Sequence, residues 1–462
     1  MLVRLVNLIP ASLSGEASQD SEPNIAVNPQ KPTDMVATAF TPDPFHGPNA
    51  PIYVSTDGGQ TWSLRNVVPG NGSFGTGDIS VGFAGSGAML YCGILSANAP
   101  ANKTRLQILR TSNFLSVATM PVLVDRLGVD QPWVVAGTVM VGAAAHDRVY
   151  IGNNDFAAPN GQTATVDMSL DAATAVAPAG FSAKRIERAA TSGQDGPPIR
   201  IALHGDGTIY VVHQRWTGGS GNNVKMEVVV TRDDGWASGV NPFSALADSA
   251  NGSIGQRVVK GRTIVWNAIM GQERLGADSA IAVDPTNSAV VYVAWGDRLS
   301  ASKPWTIHVG RSVDKGQTWP KKDLRTVVNA KNPCLAVNTD GVVGFLYQQL
   351  AGTGSVQRWV TAFEVWPAAG PDNAAPTILH TALAAEPVAS FHPYLGDYAR
   401  LVSVGKDFFG VFSGNNHADA ANFPNGVTYQ RNVDWANRRL LDLDGVSAVP
   451  DSIDPFFFHW TA

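Results

Sequence analysis

Eight acidic or amide residues stand before or at the start of short apolar runs: Glu22, Asp78, Asp130 with Gln131, Asp195, Asp278, Asn332 and Asp397. A second polar set closes the apolar runs that follow, at Asn154-Asp155, Gln214-Arg215, Asp297-Arg298, Gln348-Gln349 and Asn415-Asn416. If the fold gathers the first set, several carboxylates share one partly buried space. Like charges at short range raise one another's pKa values, and such groups work as acids or bases or bind a cation or sugar hydroxyls. On this ground Asp130, Asp278 and Asp397 are candidate catalytic residues. Glu22, Asp155, Arg215, Asp297, Arg298 and Gln349 are candidate ligand-binding residues. Arg200, Arg215, Arg298 and Arg400 offer guanidinium forks for a carboxylate, although surface pairing is the duller role for any one of them. Trp133, Trp216 and Trp295 could stack on a sugar ring or simply fill the core. Carboxylates with backbone carbonyls suit Ca²⁺, the one cofactor these residues leave open. No His-Cys cluster suits zinc, and no glycine-rich loop opens a helix to hold phosphate.

The elements that must position these groups recur. A pattern of an apolar strand, a strand rich in Val, Tyr and Phe, a third strand and a looser fourth appears seven times. The first strands include Glu22–Val27, Asp78–Val81, Asp130–Val134, Asp278–Val283 and Asn332–Val337. Alternating apolar and polar residues give the strand period, and no long helix is expected. Four-stranded units set around a ring make a propeller, because each unit alone leaves both sheet faces exposed and ring closure buries them. We therefore expect an all-β fold: a seven-bladed β-propeller of four-stranded antiparallel blades, closed by the N-terminal strand. The single domain divides into blades at about 20–70, 76–128, 130–190, 195–262, 276–330, 332–385 and 394–445. Residues 3–9 complete the last blade, with its third strand near Val427–Asn432 and a tail over 446–462. The aromatic tail Phe456–Trp460 is the rival for closing the ring. The longest insertion, roughly Trp236 to Gly276, is a candidate loop over a site.

The bulk numbers narrow the partners. The net charge is −5, only 15% of residues are charged, and no basic run occurs, which argues against nucleic acid and a polybasic membrane patch. No uncharged stretch reads as a membrane-spanning helix. Cys92 and Cys334 lie in apolar runs and read as buried thiols rather than a disulfide framework.

Two octets repeat in spacing: Ser55-Thr56-Asp57-Gly58-Gly59-Gln60-Thr61-Trp62 and Ser312-Val313-Asp314-Lys315-Gly316-Gln317-Thr318-Trp319. Degenerate copies stand at Thr231–Trp236 and Ser169–Asp171. The local chemistry is that of a turn staple: Ser and Asp accept backbone N–H groups, glycine supplies positive φ, and tryptophan packs between strands. Ser55, Asp57, Gly59, Trp62, Ser312, Asp314, Gly316 and Trp319 are thus assigned structural roles.

This octet resembles the Asp box, or BNR repeat, of sialidases. Glu22–Pro29 and Leu395–Tyr398 resemble phrases of bacterial sialidase-like proteins. The resemblance implies a carbohydrate-active protein acting on a glycan or glycoconjugate in an extracellular or secreted setting, with its site on the face opposite the Asp boxes. It also implies a tyrosine nucleophile beside a carboxylate, for which Tyr394 or Tyr398 with Asp397 is the available grouping. Two departures count against a strict sialidase: seven repeats instead of six, and no Arg-Ile-Pro motif, since Asn7-Leu8-Ile9-Pro10 lacks the arginine. The start of the chain is too short and interrupted for a signal peptide. The expectation is a glycoside hydrolase; the alternative is a non-catalytic glycan- or protein-binding propeller of the lectin or adhesin kind.

Overall fold

The computed structural model describes residues 2–40, 51–66, 76–98, 103–116, 119–158, 163–177, 180–186, 199–220, 223–265, 278–298, 303–372, 375–386 and 395–461. Among these residues the chain forms seven four-stranded antiparallel sheets and one three-stranded sheet; its only helices are short 3-10 turns. The innermost strands of sheets 1 to 7 are Ser21–Val27, Thr76–Phe83, Val129–Val141, Ile199–Leu203, Ser279–Asp284, Ala330–Val337 and Arg400–Val404. Each packs on the next in order, and the seventh packs on the first, so the sheets form a closed ring. This is a β-propeller.

The core follows from that closure. Between each pair of neighbouring sheets lies one apolar seam built from both. The first seam joins Val36 and Ile52 to Ile79 and Cys92. The last joins Val411 and Phe457 to Ile25 and Met35. Because both faces of every sheet are covered, second strands read as nearly continuous apolar runs such as Val290–Trp295 rather than strict alternations. A tyrosine recurs at one place in these second strands, and its hydroxyl crosses the seam. Tyr91 donates to Asp147 at 2.8 Å, Tyr150 to the Trp236 carbonyl at 2.8 Å and Tyr210 to the Ser288 carbonyl at 2.6 Å. Cys92 and Cys334 are both free and buried, and burial pushes the Cys92 thiol up to about 12.

The seventh sheet corrects the sequence reading. Its order is Leu2–Asn7, Ile453–Thr461, Asp407–Asn415, Arg400–Val404. The third strand is therefore the aromatic C-terminal segment, not 427–432, and the tail is part of the ring. Phe456, Phe457 and Phe458 are fully buried there, and this is what the apolar run is for. At roughly 1.5–3 kcal/mol per large buried side chain, no exposed tail would keep them out of the core. Leu2–Asn7 lies outermost, paired from Leu2 opposite Thr461 to Asn7 opposite Phe456. The three-stranded sheet, Asn432–Asp434, Arg439–Leu441 and Ala448–Val449, is an insertion before that third strand. The segment from Trp236 is also not all loop, since Gln256–Val265 is the fourth strand of sheet 4. Residues 266–276 of that insertion lie outside the described residues.

Candidate functional site

Strand register separates two ends of each sheet. In sheet 1, Ser21 at the start of the inner strand pairs with Phe40, whereas Val27 at its end pairs with Met35, which pairs with Ser55. The octet turns therefore sit at the end of the sheet away from the inner-strand starts.

At the turn end, aspartates are fully occupied. Asp57 Oδ1 accepts from the Ser55 hydroxyl and from the backbone of Gln60 and Thr61, and Oδ2 accepts from the Thr61 hydroxyl at 2.6 Å. Asp314 repeats this with Ser312 and Thr318. Although slight burial acts the other way, these bonds hold both carboxyls below the usual range. The Ser55 and Ser312 hydroxyls accept the N–H of Gly59 and Gly316. Gly59 has φ 80°, and a Cβ there would lie 2.2 Å from the Phe457 ring. Trp62 packs on that same ring, with centroids 5.2 Å apart. Trp319 is half-buried against the seam between sheets 4 and 5. In the degenerate copy, Asp233 accepts from the backbone of Gly235, Ala237 and Phe243.

At the opposite end the inner strands start with a repeated irregularity. Glu22, Gln131 and Asn332 each precede a proline, sit in a bulge and have φ 53°. A left-handed pre-proline residue is strained by about 1–3 kcal/mol, so its recurrence in three sheets marks a backbone built for side-chain placement. The register makes Glu22 the counterpart of Gln131, one residue beyond the position of Asp130, so the acids reach the axis from staggered positions.

Glu22, Asp78, Asp130 and Asp397 nevertheless come close. Glu22 accepts the Asp397 N–H at 3.1 Å, and Asp130 accepts the Gln131 N–H at 2.9 Å. Burial, then the charges of Glu22 and Asp130, raise Asp78 well above the usual carboxyl range. Asp278 is buried and pairs with Arg200 at 2.8 Å. Burial pushes it up to about 7 against the pull of Arg200.

Beside these acids lies a cavity of about 90 Å³ whose lining includes Trp133, Arg200, Asp278, Ser279, Cys334 and Arg400. The guanidinium carbons of Arg200 and Arg400 each lie 4.1 Å from the Trp133 ring centre. Burial, then Arg200, pushes Arg400 down to about 9. Among the described residues, Arg200 Nε and Nη1, Arg400 Nη1 and the Tyr398 hydroxyl have no hydrogen-bond partner. Tyr398 meets Trp133 edge-on at 5.8 Å. Burial and the acids Asp78 and Glu22 raise its phenol far above its ordinary value, the reverse of what an ionised nucleophile needs.

The other candidates are engaged within or beside their own sheets. Asp155 pairs with Arg126 at 2.9 Å and Arg215 with Glu227 at 2.9 Å. Asp297 accepts from Trp295 Nε1 at 2.8 Å and lies 3.2 Å from His308. Arg298 donates to the Lys303 carbonyl and Gln349 to the Val328 carbonyl. Trp295 stacks on His308 and Trp216 is core, so neither ring is open to a sugar. Tyr394 and Asp195 lie outside the described residues. Sequence reasoning missed that Arg200, Arg400 and Trp133 act as one group, which nothing short of the fold reveals.

No known protein family matches the chain, and no curated protein matches it either. Among solved structures, it is similar to an α-L-arabinanase of Penicillium chrysogenum complexed with arabinobiose. That match has 11% identity and a TM-score of 0.43, over 98% of this chain and 97% of that one. It is also similar to a GH93 α-L-arabinofuranosidase of Fusarium graminearum, at 11% identity and a TM-score of 0.45, over 75% and 92% of the two chains. A third is a puromycin hydrolase, at 12% identity and a TM-score of 0.44, over 96% and 56%. The fold assignment rests on the strand pairing above. No helix among the described residues is long and apolar enough to cross a membrane.

Proposed function

We propose that this chain is a carbohydrate-active, sialidase-like propeller. Its seven four-stranded sheets are seven blades, and its ligand site is the axial chamber at the inner-strand starts. The observation that carries the reading is a cavity lined by Arg200, Arg400 and Asp278, where guanidinium nitrogens without hydrogen-bond partners among the described residues stand beside a carboxyl held near neutrality. A glycan supplies what those groups lack, namely oxygen acceptors for Arg200, Arg400 and Tyr398. The best-supported activity is glycoside hydrolysis. Asp278, poised at about 7, serves as the proton-transfer group. Asp130, Asp397 and Glu22 supply the opposing carboxylate, and Tyr398, buried against Trp133, is not the nucleophile. The chamber holds the head of a ligand, since 90 Å³ is below the roughly 300–1,000 Å³ of sites that enclose a whole one. The remainder lies across the mouth. Substrates on this reading are extracellular glycans, reached by a secreted protein.

A non-catalytic glycan-binding propeller is the second reading, favoured by the buried Tyr398 phenol. Chromogenic glycosides assayed beside a glycan array separate the two. Turnover lost in Asp278→Asn supports the enzyme, and array binding without turnover supports the lectin. Silence in both contradicts a carbohydrate ligand.

A further inference from the structure

Glu16, Asp20 and Asp454 converge between the first and seventh sheets, away from the cavity lining. One carboxylate oxygen from each lies within 4.8 Å of the others. Asp454 is the second residue of the third strand of the seventh sheet, while Glu16 and Asp20 lie on the segment leading into the first. Asp454 is enclosed by donors: Asn7 Nδ2 at 2.7 Å, Asn416 Nδ2 at 2.9 Å, the Ser452 hydroxyl at 2.9 Å and Arg431. Asp20 is the opposite. It is 1% exposed, no N–H or hydroxyl donor among the described residues reaches either of its carboxylate oxygens, and its carboxyl faces that of Glu16. Glu16 Oε1 accepts the Ser18 N–H, whereas its buried Oε2 has no partner.

Were all three ionised, three carboxylates facing one guanidinium would leave two negative charges at a largely buried site. Leaving a buried carboxylate without partners is costly, so the site takes up positive charge, as protons or as a bound cation. Its donors are all oxygen, with no imidazole or thiolate, which selects a hard cation over zinc or copper.

We propose that Glu16, Asp20 and Asp454 bind a divalent cation of the calcium type that ties the N-terminal segment to the C-terminal strand where the ring closes. A cation there would clamp chain ends more than 430 residues apart, at the one seam whose outermost strand comes from the other terminus.

The test uses the full chain after chelator treatment. Titration with CaCl₂ by calorimetry gives one equivalent bound, and the melting temperature rises by about 3 °C or more. Mg²⁺ binds more weakly, because it resists giving up its waters. Asp20→Asn weakens Ca²⁺ binding by at least about 100-fold, since a charged donor is lost from a small set. Should Asp20→Asn fail to fold, Glu16→Gln and terbium luminescence replace it. Tb³⁺ emission sensitised by Tyr53, whose phenol feels all three carboxylates, is displaced by Ca²⁺ and lost in Tyr53→Phe. No heat, no thermal shift at about 10 mM CaCl₂ and no displaceable Tb³⁺ signal would overturn the proposal. A more stable Asp20→Asn variant would do the same, by showing that the acids share protons instead.

Discussion

The two ends of the ring use aspartate in opposite ways. Asp57 and Asp314 sit in shallow turns where every carboxylate oxygen is occupied by the same local donors, and both are held below the usual range. Asp78 and Asp278 are buried near the axis among other charges, and both are raised. Residue type does not separate these groups; desolvation and donor count do. The turn acids complete a local structure and have nothing left to offer a ligand. The axial acids are gathered by the closed ring beside Arg200 and Arg400, whose guanidinium groups keep nitrogens without hydrogen-bond partners among the described residues. That capacity is why we propose the ligand site at this end.

The sharpest way to break the comparison is Arg200→Met. Removing one member of a buried pair leaves Asp278 uncompensated, so chemical denaturation should show a loss of about 3–5 kcal/mol. The pH dependence comes next, because the two ends have opposite signs. Asp278 binds its proton more tightly folded than unfolded. Its contribution is therefore complete below about pH 4 and is lost as pH rises toward its folded value of about 7. The Asp57 and Asp314 contributions are present above about pH 4 and lost as pH falls through their lowered values. Melting curves against pH should flatten between about 4 and 7 in Asp278→Asn, and only on the acid side in Asp314→Ala. His308 adds a separate window. Burial alone would lower it, but hydrogen bonds to Asp297 and Asp323 raise it to about 9, so its stabilisation fades as pH climbs through that value.

Smaller effects sharpen the contrast. Asp57→Ala should cost about 0.5–2 kcal/mol, the usual loss for a satisfied cap, while ligand binding per folded molecule stays at the wild-type level. Gln349→Ala, at an exposed hydrogen bond to the Val328 carbonyl, should change stability by less than about 0.5 kcal/mol and leave binding untouched.

Strands were legible because their signal is local: the apolar runs and octet turns specify their own conformation. The seventh sheet was misread because the three-stranded insertion separates Asp407–Asn415 from its partner, so the nearer segment 427–432 took the place of Ile453–Thr461. The acids at the inner-strand starts were visible as a repeated position. Their partners were not, since Arg200 and Arg400 meet at Trp133 only after the ring closes. Glu16, Asp20 and Asp454 carried no signal at all, being a few acids at opposite ends of the chain.

The most direct test of the central claim compares Asp278→Asn with Asp314→Ala, both normalised to folded protein, on a glycoside or glycan that the wild type turns over or binds. The account predicts that Asp278→Asn loses about 10²–10⁴-fold in turnover, or its binding, while Asp314→Ala matches the wild type. Full function in Asp278→Asn with loss in Asp314→Ala would place the chemistry at the turn end and contradict it.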